Sequence, residues 1–532
     1  MMNLTAAIGE WQTLLGAANV LQADDAQKAY DKDASGIKRR IPAALRIQDA
    51  GSVPEAMRIA ARNKIAVYPI STGHNWGYGT SLPVRDDCVI IDLSGMRKIV
   101  HFDAELGVVT VEPGVTQEML AEFLDAGGHP FLVPVTGGGP QCSLLGNALE
   151  RGYGITPYTD HFAAVTDIEA VLADGSLYRT ALREAAGDDL ARLFKWGLGT
   201  YSAGLFTQSG FGIVTRMTIA LARRPECVKV CFFSLKEDAL LEPTVAAIRD
   251  IISRLPGTIG GINLMNQHRV LAMSAPYPTD RIGPDGLIPE SVIQELGRQY
   301  QVFPWTGFGT VYGTRRMVAA AQKEMKAALA GKVSRLVFIS PAGAKALSKL
   351  AAFLPGAAGQ RLGSTSNTLA KALELVNGRP NETALPLAYW RNPTPPQGDS
   401  LDPSRDGCGL IWYAPLVPMR PGSVRAYADM VKRIAVAHGI EPLITFTSIS
   451  DKLFDSTVPI IFRREDEQAL ARATACYENL LQEGRLSGFF PYRVGVNTMS
   501  TLSSLQNDSL RFHKRLRHAV DPDNLLSPGR YQ

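Results

Sequence analysis

The chain has 532 residues, of which 45% are hydrophobic and 20% charged, with a formal net charge of +4. That length exceeds what one core organises, so two or three domains are expected. So small a positive excess excludes a nucleic-acid binder that works by neutralising phosphates, and the basic stretches Lys38–Arg40 and His513–His518 read as solvated surface. Six cysteines are scattered without CxxC spacing, so neither a metal site nor a disulfide framework is expected. The N-terminus lacks the basic start and apolar run of a signal peptide, and no apolar run is long enough to span a bilayer. A cytoplasmic location without membrane contact is the resulting expectation.

Two amphipathic helical stretches precede the phrase Arg40–Ala44. Residues 51–63 then read as a helix after the cap Ser52. Ile65–Ile70 reads as a buried strand that runs into a loop of small residues. Cys88–Leu93 and Gly107–Glu112 are further strands, the second closed by Pro113-Gly114, and Thr116–Ala126 is a helix ended by Gly127-Gly128. Between residues 130 and 160 the chain is dense in Gly, Pro and polar residues with apolar ones interleaved, the pattern of a functional loop. Strand signals return at Val165–Ala173. After Arg224-Pro225 the texture shifts to longer strand–helix units, which sets a domain boundary near 225. The Pro-rich Asn392–Pro403 reads as a surface loop, and no internal repeat is found.

Three segments carry chemistry. In Ser71–Thr80, Gly73, Gly77 and Gly79 let successive backbone N–H groups turn toward one anion, the concave arrangement that binds phosphate. This loop opens no amphipathic helix, so the strand–GxGxxG–helix dinucleotide fingerprint is not met there or elsewhere. Thr136–His161 holds six glycines within eighteen residues, which permits close approach of backbone to a flat ligand, and ends in the titratable pair Asp160 and His161. Gly204–Thr215 is a small-residue turn that feeds a strand.

In this order, GxNxGYG after a strand, GNALERGxGxTPYxDH and GLFxQSxxGIVT, the segments resemble the vanillyl-alcohol oxidase family of flavoproteins, which includes the p-cresol methylhydroxylase flavoprotein. The resemblance continues through Trp305–Gly313, Leu410–Pro415, Thr445–Thr447, Pro491–Arg493 and the tail Ala519–Gly529, nearly the whole chain. It implies an α+β fold, with a two-subdomain FAD-binding domain at residues 1–224, completed by 489–532. The implied cap domain, residues 225–488, has an antiparallel sheet flanked by helices and forms the substrate pocket. The cofactor contacts it implies are Ser71, Thr72, Gly73, His74, Asn75, Gly77, Tyr78, Gly79, Cys142, Gly146, Asn147, Arg151, Gly152, Thr156, Tyr158, Gly212, Ile213 and Val214.

The implied activity is hydride transfer from a small aromatic or hydroxylated substrate to flavin N5, by an oxidase or dehydrogenase, in a homodimer. A subunit that passes electrons to a cytochrome is the alternative, and without a CxxCH site any haem partner is a separate polypeptide. Tyr492 and Arg493 match the tyrosine and arginine that stabilise a substrate phenolate in relatives, and Asp160 matches an acidic residue near N5; these three are the catalytic candidates. The second pocket tyrosine is replaced by Gln117, whose amide cannot share a proton as a phenol does. Trp305, Tyr312, Trp390 and Trp412, with Tyr389, Arg391 and Tyr413, are the remaining pocket candidates. Leu410 stands where relatives tether the flavin and cannot form that bond. His74 is then either joined to the flavin or a histidine that hydrogen-bonds it, and Cys142 is the second attachment candidate. A bicovalent pair would suit an oxidase of bulkier alcohols or sugars.

Overall fold

Period-two alternation builds the N-terminal half. Val67, Val89 and Ile91 point into one core with Trp11, Met57 and Leu526, while Tyr68, Ile90 and Ala44 point into another with Tyr30, Val494 and Val496. The computed structural model describes residues 2–344, 346, 370–392, 394–502, 505 and 507–532. Its first sheet comprises β1 (Val20–Gln22), β2 (Ala43–Arg46), β3 (Val67–Ile70) and β4 (Val89–Asp92) in the order β1-β2-β4-β3. Leu526 bridges to Val67 in parallel, so the C-terminal tail returns to this half.

The second sheet is antiparallel. It contains β5 (Ile99–Asp103), β6 (Val108–Val111), β8 (Val165–Val171), β9 (Leu177–Arg179) and β10 (Ile213–Ala220), ordered β5-β6-β10-β8-β9. The short β7 (Phe131–Leu132) pairs with β11 (Ala222–Arg223) beside it. Ile213 enters the core of the first sheet and Val214 that of the second, so β10 threads between the two.

The rest of the chain forms a nine-stranded sheet of β12 (Cys227–Leu235), β13 (Ile259–Asn266), β14 (Trp305–Gly313), β15 (Arg335–Ile339), β16 (Cys408–Tyr413), β17 (Pro415–Pro418), β18 (Thr445–Ser448), β19 (Leu453–Arg463) and β20 (Phe490–Pro491). Neighbouring strands are antiparallel. Helices Leu241–Arg254, Arg315–Leu329, Pro421–Ala437 and Glu467–Leu486 cover one face, where Phe233, Leu264, Trp305, Val311, Phe446 and Phe454 form the core. Residues of opposite parity face the N-terminal half: Phe308 and Tyr312 pack with Ile155, and Leu410 and Ile461 with Trp76. Alternation along the same strands puts Asn263, Thr445 and Asp455 on this second face. Among the described residues no helix is long and apolar enough to cross a membrane.

Candidate active site

The three glycine-rich segments meet. Gly73 and Gly77 adopt φ of 70° and 75°. Among the described residues the amides of Gly73, His74, Asn75 and Gly77 donate to no main-chain carbonyl, which leaves a row of donors on the loop for an anion. The second segment lies against this loop: Ser143 N donates to Thr72 Oγ1 at 3.2 Å, and His74 Nδ1 lies 3.2 Å from the Gln141 carbonyl. A side chain at Gly146 would collide with Ser71 Oγ. Ser143 also caps the short helix Leu144–Leu149 by accepting from Gly146 N. From the third segment, Gln208 N donates to the Leu149 carbonyl at 2.9 Å, and its Nε2 donates to the carbonyls of Glu150 and Tyr492 at 3.3 and 3.1 Å. Free amides on a glycine loop, beside backbone that tolerates no side chain, fit the pyrophosphate and flat ring of FAD.

Around this cradle the side chains differ in what they offer. Asn147 bonds to Nδ1 of His161, whose imidazole is pushed down to about 4 by burial; Nε2 of His161 and Oγ1 of Thr156 have no partner among the described residues. Gly152 has no room for a side chain, because Asn147 fills the space. Arg151, at φ 54°, turns to Thr207, donating to Oγ1 from Nε and Nη2 at 3.1 and 3.0 Å. Ile213 and Val214 spend their side chains on the cores, so only their main chain is available to a cofactor, and Gly212, just before β10, packs on Phe206. Tyr158 is 44% exposed.

The two attachment candidates separate on chemistry. Cys142 Sγ donates to the Gly138 carbonyl at 2.9 Å, and burial pushes its thiol up to about 12, so it is held protonated and unreactive. Cys142→Ala is therefore expected to leave the flavin retained after acid precipitation unchanged, and a loss of retained flavin would contradict this. His74 stacks on Trp76 at 5.0 Å between ring centroids, and burial holds its imidazole below the usual range against the opposing pull of Asp402 and the Gln141 carbonyl. A carbonyl only accepts, so Nδ1 carries the hydrogen and Nε2 keeps its lone pair.

Across the cradle, Arg493 Nη2 donates to Asn75 Oδ1, its Nε lies 3.3 Å from Glu150 Oε2, and its guanidinium sits 4.3 Å over the Tyr78 ring. Arg530 takes the other oxygen of Glu150, so one carboxylate serves two guanidiniums and one positive charge is left over. Tyr492 meets Tyr153 edge-on with centroids 5.5 Å apart, and burial raises both phenols, Tyr153 to about 12.

Asp455 was not singled out from the sequence. It is 5% exposed, its Oδ1 has no partner among the described residues, and burial raises it to about 7 against the opposing pull of Arg493. Its charge in turn raises Tyr492, Tyr153 and Tyr78, which places it among them. The available signal was an acid at an inward position of the alternating strand Leu453–Arg463. Asp160, the acid that was singled out, instead caps a turn by accepting from Ala163 N at 2.9 Å.

Three pocket expectations are corrected, those for Trp305, Gln117 and Tyr413; Tyr413 is 0% exposed and lies with Trp305 in the helix-covered core. Trp305 has the parity of the helix-covered face of β14, is 0% exposed, and donates from Nε1 to Asp238 at 2.7 Å, so it belongs to the core behind the sheet. Gln117 is fully engaged: Oε1 accepts from Thr136 N at 2.8 Å, and Nε2 donates to the Gly139 carbonyl and Thr136 Oγ1 at 3.0 and 3.1 Å. It braces the glycine loop. Tyr312 OH, by contrast, lies on the inward face, 2.9 Å from the carbonyls of both Ile155 and Val376. Trp412 donates its amide to the Gly77 carbonyl at 3.2 Å and lays its ring against that glycine, while Trp390 Nε1 donates to the Ala275 carbonyl at 2.9 Å. Tyr389, Arg391 and Tyr413 bond to Asp406, to the carbonyls of Gly439 and Gly286, and to the Leu480 carbonyl.

Fold and cradle together define an FAD-binding flavoprotein. A family model described as an FAD binding domain matches residues 41–181. The chain is 32% identical over 530 residues to 1'-carboxy-chondrochloren decarboxylase of Chondromyces crocatus, covering 99% of this chain and 97% of that protein. It is 28% identical over 533 residues to the 4-cresol dehydrogenase (hydroxylating) flavoprotein subunit of Pseudomonas putida, covering 98% and 94%. The crystal structure of p-cresol methylhydroxylase with substrate bound matches with a TM-score of 0.87 at 26% identity, over 100% of this chain and 97% of the other. The chain belongs to the p-cresol methylhydroxylase-type family of FAD-binding flavoproteins and is an FAD-dependent oxidoreductase.

Proposed function

We propose that the protein oxidises a small phenol in the manner of the vanillyl-alcohol oxidases, removing a hydride from the carbon attached to the ring. One observation carries this reading: Asp455 is a buried carboxylate with a free oxygen beside Tyr492 and Arg493, on the sheet face that looks toward the cradle. A base whose pKa lies near the working pH transfers protons most effectively. FAD, when bound by residues 1–224 with 489–532, supplies the hydride acceptor. Asp455 takes the phenol proton, Tyr492 remains a protonated donor to the phenolate, and the uncompensated charge of Arg493 and Arg530 over Glu150 stabilises the anion. Leu410 and Trp412, packed on Gly77, exclude water from that side. Asp455 thus fills the part for which Gln117 is unsuited. Of the two attachment candidates this geometry supports His74 through Nε2.

Anaerobic addition of 4-alkylphenols, alcohols and amines to the FAD-loaded protein tests the proposal: the phenols are expected to bleach the flavin, and no bleaching by any phenol overturns it. Fast return of colour in air marks an oxidase, and slow return marks a dehydrogenase that hands electrons to a partner such as a cytochrome. A second reading, loss of a carboxyl group as the name of the Chondromyces relative states, is favoured by Arg269, which is buried without a counter-ion among the described residues.

A further inference from the structure

Among the described residues, three arginines whose side chains keep little exposure each have an acid beside them. Arg183 pairs with Asp167 at 2.6 Å, Arg493 with Glu150 at 3.3 Å, and Arg517 with Asp521 at 3.6 Å. Arg269 has none among the described residues. It is 8% exposed, Nε and Nη1 are without hydrogen-bond partners, and burial alone, with no neighbouring acid to offset it, draws its pKa down to about 9. An unpaired guanidinium taken out of water is costly, and a site that keeps one is built to receive an anion.

Its place in the fold says which anion. Arg269 lies in the helix Gln267–Ser274, held by Asn266, whose side chain accepts from Arg269 N at 3.1 Å. Its guanidinium sits 5.8 Å from the centroid of the Trp412 ring, and Trp412 lies on the inward face of the sheet against Gly77. Leu271 and Ala272 of the same helix share a cluster with Trp76, whose Nε1 is likewise buried without a partner. Among the described residues neither the Arg269 guanidinium beside Trp412 nor the Trp76 indole N–H has a hydrogen-bond partner. A carboxylate's two oxygens match the Nε–Nη2 or the Nη1–Nη2 edge of a guanidinium, as a phosphate's also do, and its single charge is the one that a lone arginine balances.

We propose that Arg269 receives a carboxylate of the substrate, so that the preferred substrate is an aromatic compound with a carboxylate on its side chain. The aromatic part rests on the phenol-oxidation proposal above; the carboxylate part stands on Arg269 alone.

The test titrates FAD-loaded wild type, Arg269→Met and Arg269→Lys with 4-hydroxyphenylacetate, 4-ethylphenol and phenylacetate, followed by flavin difference spectra, with FAD content and Tm measured on each variant. Wild type is expected to bind 4-hydroxyphenylacetate roughly 10- to 100-fold more tightly than 4-ethylphenol. Arg269→Met should bring that ratio to one or below and abolish phenylacetate binding, while Arg269→Lys keeps part of the preference. A wild-type ratio of one, a ratio unchanged in Arg269→Met, or loss of FAD from Arg269→Met would each overturn the proposal, the last by assigning the charge to the cofactor. If neither phenol bleaches the flavin while phenylacetate binding still depends on Arg269, the oxidation proposal falls and the carboxylate site stands.

Discussion

Asp455→Asn is expected to slow anaerobic flavin reduction by a phenol roughly 10²- to 10⁴-fold, the range for loss of a positioned general base. Asparagine keeps the shape and cannot take the proton. In wild type the rate should rise with pH through about 7, as Asp455 loses its proton, and the Asn variant should lose that rise. The same shift makes a stability prediction of opposite sense. An unfolded aspartate releases its proton near roughly 3.9, whereas the folded chain holds it to about 7. Within that window the folded state binds the extra proton, so stability falls as pH rises through it. The Asn variant never ionises, so its Tm should exceed that of wild type well above pH 7 and converge with it in acid. A slower enzyme that is also more stable in base separates a catalytic role from simple damage to the fold. Equal rates, or a pH profile that Asp455→Asn leaves in place, would remove Asp455 from the chemistry.

The second large effect is expected at Gly77. Its φ of 75° is one that L-residues adopt at a cost of about 1–2 kcal/mol, and a Cβ there would lie 2.5 Å from Trp412 Cδ1 and 3.0 Å from Leu410 Cγ. Relief requires the phosphate loop to part from β16, which also breaks the bond from the Trp412 amide to the Gly77 carbonyl. Gly77→Ala should therefore purify with FAD occupancy lowered roughly tenfold or more at matched FAD concentration, equivalent to about 1.4 kcal/mol or more of binding. Gly257 provides the control, since at φ 71° it has no atom within 4 Å of a built Cβ. Gly257→Ala bears the backbone cost alone and should keep its FAD. If both variants retain FAD equally, contact between the loop and β16 does not hold the cradle.

Much of the N-terminal half was legible because it rests on local rules. The strand read at Ile65–Ile70 is observed at Val67–Ile70, and the helix read at Thr116–Ala126 runs Gln117–Ala126 with Thr116 as its cap and Gly127 ending it. Within the long loop between residues 130 and 160, the helix Leu144–Leu149 was missed; it is short and owes its start to the Ser143 cap. Site residues in the large sheet depended on register, which a sequence does not display. Trp305 and Tyr312 share β14 and read alike as pocket aromatics, but their odd and even positions send them to opposite faces. Gln117 matched a pocket position by order along the chain, while its actual partners, Thr136 and Gly139, are brought to it by folding. Asp455 and Arg269 are single charges in otherwise ordinary elements, and a lone charge usually marks a solvated face. Only tertiary burial without a partner exposes their significance.

The central claim is that a phenolic hydroxyl, deprotonated by Asp455, drives hydride loss from the adjoining carbon to the flavin. Anaerobic mixing of the FAD-loaded protein with 4-ethylphenol and, separately, with its O-methyl ether tests it most directly, since the two differ only in the proton that Asp455 would remove. The phenol is expected to bleach the flavin at a rate that climbs through a pH of about 7, and the ether to leave it oxidised. Equal bleaching by the ether, or none by either compound, would contradict it.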